Sequence, residues 1–531
     1  MVFTIGCRKM EKADLIIINA KIYSMDSISG IYESMAIQNG KISRIGTTAE
    51  ILKKYHSTKI YDLKGSFVYP GFIDAHCHFY AYGLNFHKAD LLGTKSFHDV
   101  LQRMENFSHN HPEIKWVTGR GWDQNDWELK EFPDNKELNQ LFPDIPVVLV
   151  RIDGHAVLAN KIALDKAGID IHTMVKGGKI EVKNGKLTGI LVDNAVDLVT
   201  KIIPEPDVSQ QVTALKEAEI NCFSVGLTSV SDAGLDFKVV KLIDSLQKKG
   251  VLKIRIYAML NPTEDNVNNY LKKGIYKTEK LYVGSIKLYA DGALGSRGAC
   301  LLEPYHDKGQ SGFILNSDSY YRKFLTLAYS NKYQVNTHAI GDSANRYILQ
   351  LYGSFLKGKN DRRWRIEHAQ VIGKDDFYLF GKYSIIPSVQ TTHATSDMYW
   401  AEERLGPVRV KNAYTFRKLM DQNGWLPNGT DFPVEAINPL FSFYSAVYRI
   451  DQHGFPTGGF QIDNALTPEQ ALKSITIWAA KASFEEKEKG SLETGKFADF
   501  VVLDTDLIKA LPTQILKTVV LKTFLNGEEV Y

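Results

Sequence analysis

From Tyr69 to about residue 484, short β-branched runs alternate with longer amphipathic segments, and this alternation constrains the chain more than any other feature. Strands separated by helical segments form βα units, which assemble as a parallel sheet with helices on its faces. A first apolar strand ends at His76, and further strands are predicted at 228–230, 253–259, 283–289, 334–337, 365–367, 385–389 and 425–428. Helical segments such as 210–223 and 238–248 lie between them. Thr467-Pro-Glu-Gln470 opens another helix, with capping-box spacing and proline in the first turn. Eight such units make a TIM (β/α)8 barrel. The expected class is therefore α/β, with the barrel at 69–484. An excursion at about 79–204 is too long for an ordinary connection. It carries an apolar run, Pro146–Ile152, and a hairpin turned at Asn184-Gly185, and reads as an inserted subdomain over the barrel mouth.

The two ends of the chain resemble each other more than they resemble the middle. Residues 11–68 hold strand-like runs and a hairpin turn at Asn39-Gly40; residues 485–531 hold more strands and a turn at Asn526-Gly527. Both termini are expected to meet in one small β-sandwich domain. With 64 basic against 61 acidic residues, dispersed along the chain, there is no electrostatic footprint for nucleic acid. No apolar run is long enough to span a membrane. Cys7, Cys77, Cys222 and Cys300 show no zinc-knuckle or disulfide spacing. Thr4-Ile5-Gly6-Cys7 looks like the end of a bacterial lipoprotein signal, but its apolar lead-in is short and lacks a basic segment. A cytoplasmic protein starting at Met10 is the preferred expectation, with lipid anchoring through Cys7 as the alternative.

Polar groups that can bind a metal recur at the predicted strand ends, where barrel enzymes place their active sites. His76 and His78 are two residues apart in an extended chain, so both imidazoles can face one point. Later strands end in Lys287-Leu-Tyr-Ala-Asp291, His338, Glu367-His368 and Gly-Thr-Asp431-Phe-Pro. Each has an ordinary explanation: a buried, satisfied histidine, a turn aspartate, or a lysine paired with Asp291. Two histidines at successive strand ends weigh against that explanation for His338 and His368. For Lys287 the residues alone leave both readings open.

Pro70-Gly-Phe-Ile-Asp-Ala-His76-Cys-His78 resembles the signature of the metal-dependent amidohydrolase superfamily. Gly121-Trp122-Asp123, Asp153-Gly154-His155, Lys287-x3-Asp291-Gly292 and the Asp431 segment resemble its amidohydrolase-3, YtcJ-like branch, which includes N-substituted formamide deformylase. The resemblance runs from Ala13 to the C-terminus. It implies that His76, His78 and Asp431 bind a buried metal, that His338 and His368 bind a second, and that Lys287 bridges them as a carbamate. Zinc is the default for such ligands, with one or two ions per chain and manganese, iron or cobalt as alternatives. Asp431 would act as general base and acid in cleaving a non-peptide carbon–nitrogen bond of a small amide-type substrate. His155, Trp122 and Asp123 are candidates for substrate contact or oxyanion stabilisation; Arg297 and His393 are weaker ones. A mononuclear deaminase-like enzyme and a non-catalytic binding barrel are the competing readings. A homodimer is the general prior.

Overall fold

The computed structural model describes residues 10–531; the Cys7 expectation falls outside them. Seven parallel strands follow one another around a barrel: β1 (Phe72–Cys77), β2 (Leu227–Leu235), β3 (Arg255–Leu260), β4 (Leu281–Tyr289), β5 (Gln334–Ala339), β6 (Arg365–His368) and β7 (Ile386–Ser388). They are buried along nearly their whole length, as expected for parallel strands covered on both faces. Helices such as Val208–Ser224 and Phe237–Lys248 pack outside. Asp207 and Gln210 form a reciprocal capping box on the first, and Thr467 and Gln470 form the one read from sequence.

The eighth position differs from expectation. Segment 425–428 forms no strand, only one parallel bridge between Asn428 and Val389, because Pro427 has no N–H to contribute to a ladder. The ring closes instead through scattered bonds to β1: Ala75 N to Asn428 O at 3.3 Å, Asp431 N to His76 O at 2.8 Å and His78 N to Phe432 O at 2.9 Å. Asp74, buried in β1, holds this seam by accepting from Thr430 Oγ1 at 2.7 Å, from the Thr430 N–H and from the His76 N–H.

The barrel does not begin at Tyr69. Phe67–Pro70 pairs with Phe500–Leu503 and Lys21–Tyr23 in a six-stranded sheet of mixed N- and C-terminal strands. At Gly71 the chain changes sheets in so little space that a Cβ would lie 2.3 Å from Thr228 Oγ1. A four-stranded sheet, ordered Lys41–Gly46, Ser34–Gln38, Leu15–Ile18, Ile60–Asp62, packs on it through a shared core that includes Ile17, Met35, Val68 and Phe500. The result is the small sandwich built by both termini. The excursion after β1 carries its own six-stranded sheet, with Val117–Trp122 beside Val147–Arg151, and with Gly178–Lys183 and Lys186–Asp193 turned at Asn184-Gly185, both at positive φ.

Candidate metal centre

The strand ends bring the ionisable groups together. His76 lies within β1 and His78 just beyond it, their ring centroids 5.7 Å apart. Lys287 comes from β4, His338 from β5, His368 from the end of β6 and Asp431 from the closing segment. The Asp431 Oδ1 is 3.3 Å from His78 Nε2 and 3.6 Å from His76 Nε2, and Oδ2 is 3.9 Å from His368 Nδ1. His338 and His368 have ring centroids 4.6 Å apart. His368 and Asp431 both adopt left-handed backbone (φ 73° and 63°), a conformation that costs energy outside glycine and clusters at functional sites.

The donors are oriented as metal ligands usually are, through their other ring nitrogen. His76 Nδ1 donates to Glu367 Oε2 at 2.5 Å, and His78 Nδ1 donates to the Ala233 carbonyl at 3.0 Å, so each Nε2 keeps a lone pair facing inward. His368 Nδ1 is buried without a hydrogen-bond partner. His76, His368 and Asp431 offer ligand atoms that all lie within 4.8 Å of one another. This donor set, imidazoles with a carboxylate, fits a divalent cation.

Electrostatics point the same way. Burial, then the Lys287 charge, push His76 down to about 4. Burial also pushes His338 and His368 well down, which favours the unprotonated imidazole that a metal needs. Burial would raise the Asp431 carboxyl, but His78, His76 and His368 outweigh it and hold it well below the carboxylate range. Lys287 is 1% exposed and burial pushes it down to about 8. Its Nζ lies 3.1 Å from His76 Nε2. Asp291, its alternative partner from sequence, instead accepts backbone N–H groups from Ile340, Gly341 and Cys300.

His78, Lys287, His338, His368 and Asp431 line one wall of a cavity of about 900 Å³ that the inserted sheet also lines. His155 faces it, with Nδ1 2.8 Å from Asp193 Oδ1 and its ring 4.9 Å from that of His338. Asp123 lines it too and is paired with Arg151. Trp122 does not take the candidate substrate-contact position. Its indole is 1% exposed in the core of the inserted sheet, donating Nε1–H to the Leu149 carbonyl at 3.0 Å. A register shift between Arg120 and Trp122, with Gly121 at φ 112°, breaks the alternation that would have put both on one face. Arg297 is paired with Asp307, while His393 lines the cavity with Nε2 3.9 Å from Asp431. His56, His87, His98, His109 and His111 are exposed.

Sequence reading missed Glu367, the anchor of His76. Burial would raise its carboxyl, but Arg365, His76 and Lys287 outweigh it and hold it far below the usual range. Arg365 and Glu367 are both fully buried, with Nε to Oε1 at 2.7 Å. The signal was two opposite charges two residues apart in an otherwise apolar strand. Asp74 carried a similar signal, two residues before His76.

A parallel barrel with imidazoles, a depressed carboxyl and a buried lysine at its strand ends defines a metal-dependent hydrolase. Comparison with known proteins agrees. A model of the amidohydrolase family matches residues 59–531. The chain is 34% identical to the protein LONG AFTER FAR-RED 3 of Arabidopsis thaliana, over 98% of this chain and 92% of the relative. It is 31% identical to YtcJ of Bacillus subtilis (96% and 98%) and 26% identical to the N-substituted formamide deformylase of Arthrobacter pascens (97% and 98%). The crystal structure of an uncharacterized metal-dependent hydrolase from Pyrococcus horikoshii superposes with a TM-score of 0.76 at 29% identity, over 94% of this chain and 99% of that one. The chain belongs to the amidohydrolase family. Among the described residues no helix is long and apolar enough to cross a membrane.

Proposed function

We propose that this hydrolase cleaves an amide-type carbon–nitrogen bond other than a peptide bond, in a small-molecule substrate bound in the cavity. His76, His78, Lys287, His338, His368 and Asp431 would hold one or two divalent cations, zinc by default. The observation that carries this reading is the convergence of these six groups, from four strand ends and the closing seam, on one place, with five of them lining the cavity and His76 in contact behind them. A divalent cation bound there would make a water acidic enough to ionise near neutral pH and would polarise the scissile carbonyl.

The chain's own groups supply the rest. Asp431 is ionised at neutral pH and sits among the histidines, so it can take the proton of the attacking water and return it to the leaving nitrogen. Lys287, with its pKa lowered by burial, has a neutral amine within reach; adding to carbon dioxide and losing one proton, it becomes a carbamate with two anionic oxygens. His155, anchored by Asp193, is placed to donate to the oxyanion that develops on the carbonyl. Asp123 acts indirectly, by fixing Arg151. The similarity to a formamide deformylase makes N-formyl and N-acyl amines the first compounds to try.

One observation favours a mononuclear variant: among the described histidines, cysteines and carboxylates, it is three groups, His76, His368 and Asp431, whose ligand atoms lie within 4.8 Å of one another, enough for one ion. Elemental analysis of protein purified with bicarbonate and without chelator separates the two. About two metals per chain, falling in Lys287→Ala, supports the bridged site. About one, unchanged in Lys287→Ala, supports the mononuclear site. No metal after reconstitution would sink the proposal.

A further inference from the structure

Arg120 lines the same cavity as His78 and Asp431, from the end of the inserted strand Val117–Trp122. The charge of Asp153 and, after it, that of Asp431 act on it. Among the described residues its guanidinium makes one hydrogen bond, from Nη2 to the Ile152 carbonyl at 3.1 Å, and no ion pair. Its Nε is buried without a partner. The neighbouring Arg151, by contrast, pairs with both Asp123 and Asp153. Asp153 is the acid nearest in sequence to the loop under Arg120, and its oxygens are already committed to Arg151 and to the His155 N–H.

A second cation compounds the excess. Lys88 is pushed down to about 8 by burial and then by the Arg120 charge, and its Nζ has only the Asn85 side-chain oxygen, at 3.2 Å. Two part-buried cations near one another, neither in an ion pair among the described residues, leave positive charge here unmatched by direct contact. The place is nevertheless open to a ligand. Gly154 passes beneath the guanidinium with backbone alone, where a Cβ would sit 3.6 Å from Nη1. A planar guanidinium with free donors matches a carboxylate in geometry as well as charge.

We infer that Arg120 is a specificity residue that receives a carboxylate on the substrate, so that the favoured class is acidic amides, such as N-acylated amino acids, over neutral ones. This rests on the hydrolase reading above.

Hippurate and its carboxamide differ only in the group Arg120 would meet, and both contain an amide. Their binding to the metal-loaded enzyme is measured by isothermal titration, and their turnover in parallel, for wild type, Arg120→Gln and Arg120→Lys. Hippurate is expected to bind about tenfold more tightly than the carboxamide. Arg120→Gln should erase that preference and leave carboxamide affinity unchanged; Arg120→Lys should restore part of it. Turnover should follow through KM with kcat little altered. The inference is overturned if Arg120→Gln weakens both compounds equally, if it leaves hippurate unaffected, or if wild type binds neither. If binding follows Arg120 but no variant cleaves either amide, the inference holds and the amide-cleavage reading fails.

Discussion

Replacing Glu367 with glutamine tests the centre through a residue that binds no metal itself. The substitution keeps the shape and removes the charge between Arg365 and His76, both fully buried. Arg365 would retain only its bonds to the Ala75 carbonyl at 2.6 Å and Ser388 Oγ at 3.0 Å. Breaking a buried pair from one side costs about 3–5 kcal/mol. Separately, His76 loses the anion that fixes its tautomer; second-shell losses of this kind weaken metal affinity by about 10- to 100-fold. That corresponds to about 1.4–2.8 kcal/mol.

Stability is read by denaturant unfolding of metal-free protein, and affinity by competition with a chelator. The Glu367 carboxyl is depressed on folding, so its contribution is present above its unfolded value of 4.5 and is lost only as pH falls through the lower folded value. The gap between wild type and variant should therefore be full at neutral pH and persist below pH 4.5. Adding Arg365→Met should recover much of the stability but none of the metal affinity. Unchanged affinity in Glu367→Gln would refute the role assigned to the His76 anchor; unchanged stability would refute the buried-pair argument.

Gly121→Ala should destabilise the protein by about 1–3 kcal/mol, because φ 112° disfavours a side chain and its Cβ would lie 2.8 Å from Leu92 Cγ; a melting temperature equal to wild type would contradict this. Asp232, pushed up by burial to about 7, takes up a proton on folding, so its stabilising contribution is full below pH 3.8 and is lost as pH rises through about 7. Unfolding free energies of wild type relative to Asp232→Asn should fall across that window, and a flat difference would count against the assignment.

What could be read from the sequence depended on range. Strands β2 to β7 are found where β-branched runs predicted them, and helices such as Phe237–Lys248 begin within a residue or two of their predicted starts. Local patterns set these elements. His76 and His78 also face inward together, since two-residue spacing decides that. Errors came where one residue overrode the pattern: Pro427 in the closing segment, the sheet change at Gly71, and the bulge at Gly121 that sent Trp122 into a core. Long-range pairing was invisible. The His76–Glu367 bond joins residues 291 apart in the chain, and nothing local announces it. Likewise, only the fold reveals that Asp291 spends its oxygens on backbone N–H groups rather than on Lys287.

The seam between β1 and the closing segment has a consequence for the life of the protein in a cell. His76 and His78 stand on one side of it and Asp431 on the other, so loading the centre and closing the ring are a single equilibrium. A ligand that binds only the closed form deepens it by mass action. A copy lacking metal relies on the bonds around Asp74 and Thr430 and on neighbours such as Ile73 N to Ile475 O at 2.8 Å to hold its ring shut. Its weakest point is then its active centre, where an opening exposes the free edges of β1 and β7. Proteases that sample such openings would remove empty copies ahead of loaded ones, so metal supply would set the abundance of the enzyme as well as its activity.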